Sequence, residues 1–184
     1  MYFQVIHTIG ITHGLIPNIN HNKLKNIILK NRHKKIDLNE KQTIDWDMHR
    51  YEDSYLPMNS EFEKIIKYLN DQYKYLNKRS LKLLNYWAHI HEKNMSTLPH
   101  NHLEDNGAYD ENLLSGVYYV QVPKNSGKLV FNYPHTAYHP RKYFINPEEG
   151  MFCLFSSALD HLVTRNLSEE TRISVSFNLK SEPD

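Results

Sequence analysis

His100 and His102, in the segment PHNH, are the residues whose type and spacing speak first of chemistry. In an extended chain, residues two apart project to the same side, so two imidazoles at this spacing can be presented to one metal ion. The segment AHIH offers the same spacing at His89 and His91. A chain with 12 histidines produces such pairs readily by chance, so taken alone either pair reads more naturally as exposed strand or loop histidines. A further histidine, His161 in LDHLV, stands apart from both. The last apolar segment adds a different chemistry, because Arg172, Ser174, Ser176 and Asn178 alternate with Ile173, Val175, Phe177 and Leu179. The apolar set must face a core. The polar set meets either water, as is normal for an antiparallel sheet, or a cavity in which Arg172 grips a carboxylate through paired hydrogen bonds and Ser174 adds another.

Positioning these groups falls to a chain of two textures. The first dozen residues, with Tyr2, Phe3, Val5 and Ile6 among them, read as a strand that the region of Gly14 and Pro17 breaks. A short helix follows, with Leu24, Ile27 and Ile28 as its apolar stripe, and the basic run from Lys30 to Lys35 reads as a solvated end and loop. The clearest helix is predicted from Ser60 to Arg79, because Phe62, Ile65, Ile66, Leu69, Tyr73 and Leu76 fall on one helical face. Ser60 and Glu63 form a capping box at its start.

From about Asn85 onward the chain turns to short alternating segments, YWAHIH, LLSGVYYVQV, KLVFNY, MFCLF and RISVSFNL, separated by Pro, Gly and Asn clusters. That spacing predicts an antiparallel sandwich or barrel. Trp87 reads as cavity wall or core, His135 and His139 in the turn-rich NYPHTAYHP as structural or exposed, and the tail KSEPD as a frayed end. The fold expected is α+β, mainly β: one domain over residues 1–184, with an N-terminal strand and helices (1–84) packed outside a jelly roll (85–180).

Composition excludes several classes. The formal charge of +1, from 22 basic and 21 acidic residues, lacks the electrostatic footprint of a nucleic-acid binder. The single cysteine, Cys153 in FCLF, has no partner for an internal disulfide and reads as buried core, which suits a reducing compartment. No stretch approaches the roughly 18 apolar residues of a membrane span, and the start MYFQVIHTIG has no secretory pattern, so a cytoplasmic location is expected. Oligomeric state is not legible.

The ordered series PHNH, SGVYYVQVP, SGKLVF, PEEGMFCLFSSALDHLV and RISVSFN resembles the iron(II)- and 2-oxoglutarate-dependent oxygenases. The likeness is strongest to a small bacterial and phage group sharing the His-x-His and Ser-Gly-Val-Tyr-Tyr pattern, and extends more distantly to the prolyl hydroxylases. It covers roughly Trp87 to Leu179. The resemblance implies a double-stranded β-helix, a cupin-like jelly roll, and a metal site whose ligands fall on His100, His102 and His161. It implies that Arg172, eleven residues after His161, holds the distal carboxylate of 2-oxoglutarate, with Ser174 and Tyr119 beside it. No catalytic residue beyond the metal centre is implied. His102 stands where most of the superfamily has Asp or Glu, and Glu104 or Asp105 is the alternative carboxylate ligand. Three neutral imidazoles leave the site one unit more positive than two imidazoles and a carboxylate. The loop after His102 is either a lid or an ordinary surface excursion.

The activity implied is dioxygenase chemistry with iron(II), 2-oxoglutarate and O2, ending in hydroxylation of an unidentified substrate, with a tilt toward peptides. Two rivals are a cupin-type metalloenzyme without 2-oxoglutarate, against which Arg172 argues, and a non-catalytic β-sandwich binding module.

Overall fold

A computed structural model describes residues 10–32, 52–103, 110, 112–134 and 140–183. The expected strand residues Tyr2, Phe3, Val5 and Ile6, the second half of the basic run (33–35), the alternative ligands Glu104 and Asp105, and His135 and His139 lie outside the described residues. In chain order the elements are β1 (Ile11–Leu15), α1 (His21–Lys30), β2 (Glu52–Ser54), α2 (Ser60–Asn77), β3 (Arg79–His91) and β4 (Thr97–His100). There follow β5 (Leu113–Gln121), β6 (Leu129–Pro134), β7 (Pro140–Ile145), β8 (Met151–Ser156), β9 (His161–Val163) and β10 (Arg172–Pro183).

The strands form two antiparallel sheets, one ordered β1-β8-β5-β10-β3-β2 and the other β4-β9-β6-β7. Side chains from both, Val117, Tyr119, Cys153 and Phe155 from the first and Leu129, Phe131 and Ile145 from the second, pack into one cluster between the sheets. This is the jelly roll expected from the spacing of the apolar segments. On the opposite face of the six-stranded sheet, Ile90, Tyr118, Val120, Ile173, Val175 and Phe177 pack against Leu24 and Ile28 of α1 and Phe62, Ile65 and Leu69 of α2. The strict alternation of β5 and β10 therefore serves two interiors at once, one face to the helices and one to the space between the sheets.

Several local expectations are corrected. The cap of α2 is Asn59, whose side chain accepts from the backbone N–H groups of Glu61 and Phe62, each at 3.1 Å. Ser60 is the first helical residue and its hydroxyl accepts from Lys23 Nζ at 2.7 Å, so no capping box forms with Glu63. The helix stops at Asn77, with Lys78 left-handed at φ 55°, and Arg79 opens β3. Leu76 is exposed together with Tyr75, because the last turn of α2 runs past its apolar contacts. Gly14 continues β1 rather than breaking it, and a Cβ there would meet the Phe152 ring at 3.3 Å. The tail is not frayed: Glu182 and Pro183 pair with Ser80 and Arg79, and the buried Ser181 takes hydrogen bonds from Arg79 and Tyr73. Cys153 is buried as expected, and burial pushes its thiol up to about 12. Among the described residues no helix is long and apolar enough to cross a membrane.

Glu61 ties the two helices together. Its carboxylate, 3% exposed, accepts from the Asn20 backbone N–H at 3.1 Å, Lys64 Nζ at 3.0 Å and Lys23 Nζ at 3.2 Å. The Asn20 bond, then Lys64 and Lys23, hold its pKa near 2 instead of 4.5, against the opposing effect of burial. A carboxyl depressed in the folded state stabilises above its unfolded value and loses that contribution as pH falls from about 4.5 toward 2. Glu61→Gln is expected to cost on the order of 2–3 kcal/mol at pH 7, with the deficit narrowing by about half or more at pH 3. Urea denaturation of both proteins at the two pH values checks this, and a pH-independent deficit would refute it.

Candidate metal and carboxylate site

The register of the smaller sheet builds the first half of the site. His100, at the end of β4, pairs directly with His161, the first residue of β9, and their ring centroids lie 4.3 Å apart. His102 follows two residues on; its backbone N–H donates to the Ser157 carbonyl at 2.8 Å, which brings its ring to 5.0 Å from His100 and 5.1 Å from His161. One ligand atom from each of the three lies within 4.8 Å of the others. His161 is wedged by the Phe155 and Phe131 rings at 4.7 and 6.1 Å.

Two tautomers are set by what the rings touch. His100 Nδ1 donates to the Leu98 carbonyl at 2.8 Å, and His161 Nδ1 donates to the Leu159 carbonyl at 2.9 Å. A carbonyl can only accept, so in the neutral form of each ring the lone pair sits on Nε2. Burial, with His100 beside it, lowers the pKa of His161 to about 3, the Leu159 bond opposing. Burial, then His161 and His100, holds His102 well below the usual range. His102 and His161 are therefore neutral at physiological pH, which is the protonation state a metal ligand requires.

The inner face of the larger sheet builds the second half. Arg172 on β10 is 2% exposed and pairs across the strands with His91 of β3; Ser174, 1% exposed, lies between His89 of β3 and Tyr119 of β5. Among the described residues the guanidinium has only long contacts, Nη2 to His91 Nδ1 at 3.4 Å and Nη1 to the Ser126 carbonyl at 3.5 Å. Its Nε has no hydrogen-bond partner, and no carboxylate among the described residues pairs with it. Burial lowers the Arg172 pKa, with Tyr119 opposing, and raises that of Tyr119, with Arg172 opposing. A buried cation with so few partners is costly unless an anion completes it. The residues therefore fit both groups that the sequence implied, a divalent ion on three imidazoles and a carboxylate on a buried guanidinium.

The polar alternation of β10 thus faces the inter-sheet space and not water. Trp87 is cavity wall, with its ring 5.7 Å from that of His102 and its Nε1 donating to His89 Nε2 at 2.9 Å. His89 and His91 stand outside the triad, as expected, but on the inner face beside it. Sequence reasoning missed that His91 buttresses Arg172: its Nδ1 accepts from the guanidinium, so its Nε2 carries the proton and donates to Thr97 Oγ1 at 2.9 Å. The signal was present in the shared alternation of Trp87, His89 and His91, but which strand lies opposite β10 is a matter of register.

Comparison with known proteins places this site in context. Residues 85–178, just over half the chain, match the family model described as "Putative 2OG-Fe(II) oxygenase". No curated protein matches the sequence. Among solved structures, a Pseudomonas putida prolyl-4-hydroxylase is similar with a TM-score of 0.62 at 13% identity, covering 94% of this chain and 93% of that one. The viral collagen prolyl hydroxylase of Paramecium Bursaria Chlorella virus-1, solved with 2OG, is similar with a TM-score of 0.60 at 17% identity, covering 94% and 96%. The epimerase SnoN, in complex with Fe3+, alpha ketoglutarate and a nogalamycin compound, gives a TM-score of 0.63 at 12% identity, covering 94% and 79%. At these identities the structures speak for the fold, and the match to the family model carries the assignment: the chain belongs to the 2OG-Fe(II) oxygenase family, whose cofactors are iron(II) and 2-oxoglutarate.

Proposed function

We propose that the chain is a 2-oxoglutarate-dependent hydroxylase acting on a peptide or amino-acid substrate, a prolyl side chain being the first candidate. His100, His102 and His161 hold the iron, and Arg172, Ser174 and Tyr119 hold the distal carboxylate of 2-oxoglutarate. The observation that carries this reading is that the three imidazoles have ligand atoms within 4.8 Å of one another, and that the same jelly roll buries a guanidinium with no acidic partner among the described residues. The substrate class rests on the likeness of the fold to two prolyl hydroxylases.

When bound, iron(II) and 2-oxoglutarate supply oxidation of a C–H bond by O2, coupled to decarboxylation of the 2-oxo acid to succinate. The protein's own residues position and shield. The carbonyls of Leu98 and Leu159 keep two Nε2 lone pairs turned inward, Phe131, Phe155 and Trp87 line the space around the rings, and His91 holds the guanidinium in place. With His102 as third ligand, in preference to Glu104 or Asp105, all three ligands are neutral and the ion keeps its full charge of +2. A dianionic 2-oxo acid would offset that charge, and with the buried Arg172 guanidinium counted the group as a whole carries +1, one unit more than a carboxylate in place of His102 would leave.

Two measurements test this. Iron(II) added anaerobically at about a hundred times its Kd is expected to add about 2.7 kcal/mol of stability, or roughly 5–10 °C in Tm, and His161→Ala removes the shift. Titrating 2-oxoglutarate into the iron-loaded protein is expected to raise the weak visible metal-to-ligand charge-transfer band, which Arg172→Ala and His161→Ala each lose. Bound metal without a band favours the cupin-type enzyme that three imidazoles would also suit. No metal binding at all leaves a binding module.

A further inference from the structure

The turn between β5 and β6 carries a buried polar atom that nothing so far uses. Ser126 is 2% exposed and its Oγ has no hydrogen-bond partner among the described residues. An unpaired buried hydroxyl is costly, and native structures rarely keep one without a use. The second such atom in this part of the molecule is Arg172 Nε, and the two residues touch: Arg172 Nη1 donates to the Ser126 carbonyl at 3.5 Å. The two orphan atoms therefore belong to residues in direct contact.

The turn is also held rigidly. Ser126 N–H donates to the Pro123 carbonyl at 3.2 Å, and Asn125 is left-handed at φ 63°. Gly127 has φ 94° and a Cβ there would stand 2.3 Å from the Thr164 carbonyl, so the backbone lies directly on the segment after β9. Three further bonds clamp it: Lys128 N–H to Thr164 Oγ1 at 2.8 Å, Thr164 N–H to the Lys128 carbonyl at 2.9 Å, and Leu167 N–H to the Asn125 carbonyl at 3.0 Å. A hydroxyl on such a support is pre-organised for a ligand and cannot readily swing away to find another partner.

We infer that the Ser126 hydroxyl is a further donor to the carboxylate that Arg172 holds, so that a 2-oxo acid is accepted as a dicarboxylate by a cradle built from β10 and the β5–β6 turn. This rests on the proposed function above, since it assumes that Arg172 receives the distal carboxylate. One oxygen accepts from the guanidinium and the other from the serine, which satisfies both orphans with one anion. Ser126 is a positioning residue for the cosubstrate and has no part in the chemistry.

The test compares unmodified protein, Ser126→Ala and Arg172→Ala, each loaded anaerobically with iron(II), by titration of the charge-transfer band with 2-oxoglutarate and with pyruvate, which lacks the distal carboxylate. Ser126→Ala is expected to raise the apparent Kd for 2-oxoglutarate about ten-fold, the loss of one hydrogen bond to a charged group, and to leave that for pyruvate unchanged. Its metal-free Tm is expected to stay level or rise, because the variant removes an unpaired hydroxyl. If Arg172→Ala weakens 2-oxoglutarate and Ser126→Ala does not, the inference is wrong while the function stands. Equal weakening for both 2-oxo acids, or a lower metal-free Tm, makes Ser126 structural and also overturns it. Absence of 2-oxoglutarate binding by the unmodified protein removes the functional reading and this inference with it.

Discussion

Burying a guanidinium between two sheets is among the most expensive things a protein of this size can do, and much of the arrangement around Arg172 follows from that cost. The charge sits on the strand that pairs with both β3 and β5, so its neighbours are fixed on either side by backbone hydrogen bonds. His91 across one ladder accepts from it and is itself anchored on Thr97, next to the turn into β4. The strand carrying the charge thus belongs to the same connected framework that presents His100. A group with few partners is kept in place by neighbours that cannot move.

The alternation of β10 was readable from composition of its faces, and so was the likeness of five ordered segments to a known family. What no pattern along the chain could disclose was which face met water. Ile173, Val175, Phe177 and Leu179 have a helical layer over them, and Arg172, Ser174 and Asn178 a second sheet, so a strand with one polar face is buried on both. The expectation for an isolated antiparallel sheet failed because closure of the jelly roll is a non-local event. The same reason hid His91 and Ser126: each becomes important through a partner 81 or 46 residues away.

Local signals were less reliable at the ends of elements than in their middles. Phe62, Ile65 and Leu69 were correctly placed in a core, yet the cap moved one residue upstream because Ser60 was claimed by Lys23. The tail looked disposable by composition, and long-range pairing with the start of β3 made it part of the large sheet. His100 and His161 are the opposite case, where a 61-residue separation is closed by a single cross-strand pair and two weak local signals become one site.

The two sheets are not equally supported. Both helices pack on the six-stranded sheet, and among the described residues no helix covers the outer face of β4-β9-β6-β7, where Phe144 is exposed. His100 and His161 belong to this thinner wall, and Arg172 to the braced one. On the proposed reading, a 2-oxo acid bound through a metal on the imidazoles at one end and by the guanidinium at the other would bridge the helix-backed sheet and the bare one. Loading the site would then cross-link the two walls of the roll from within.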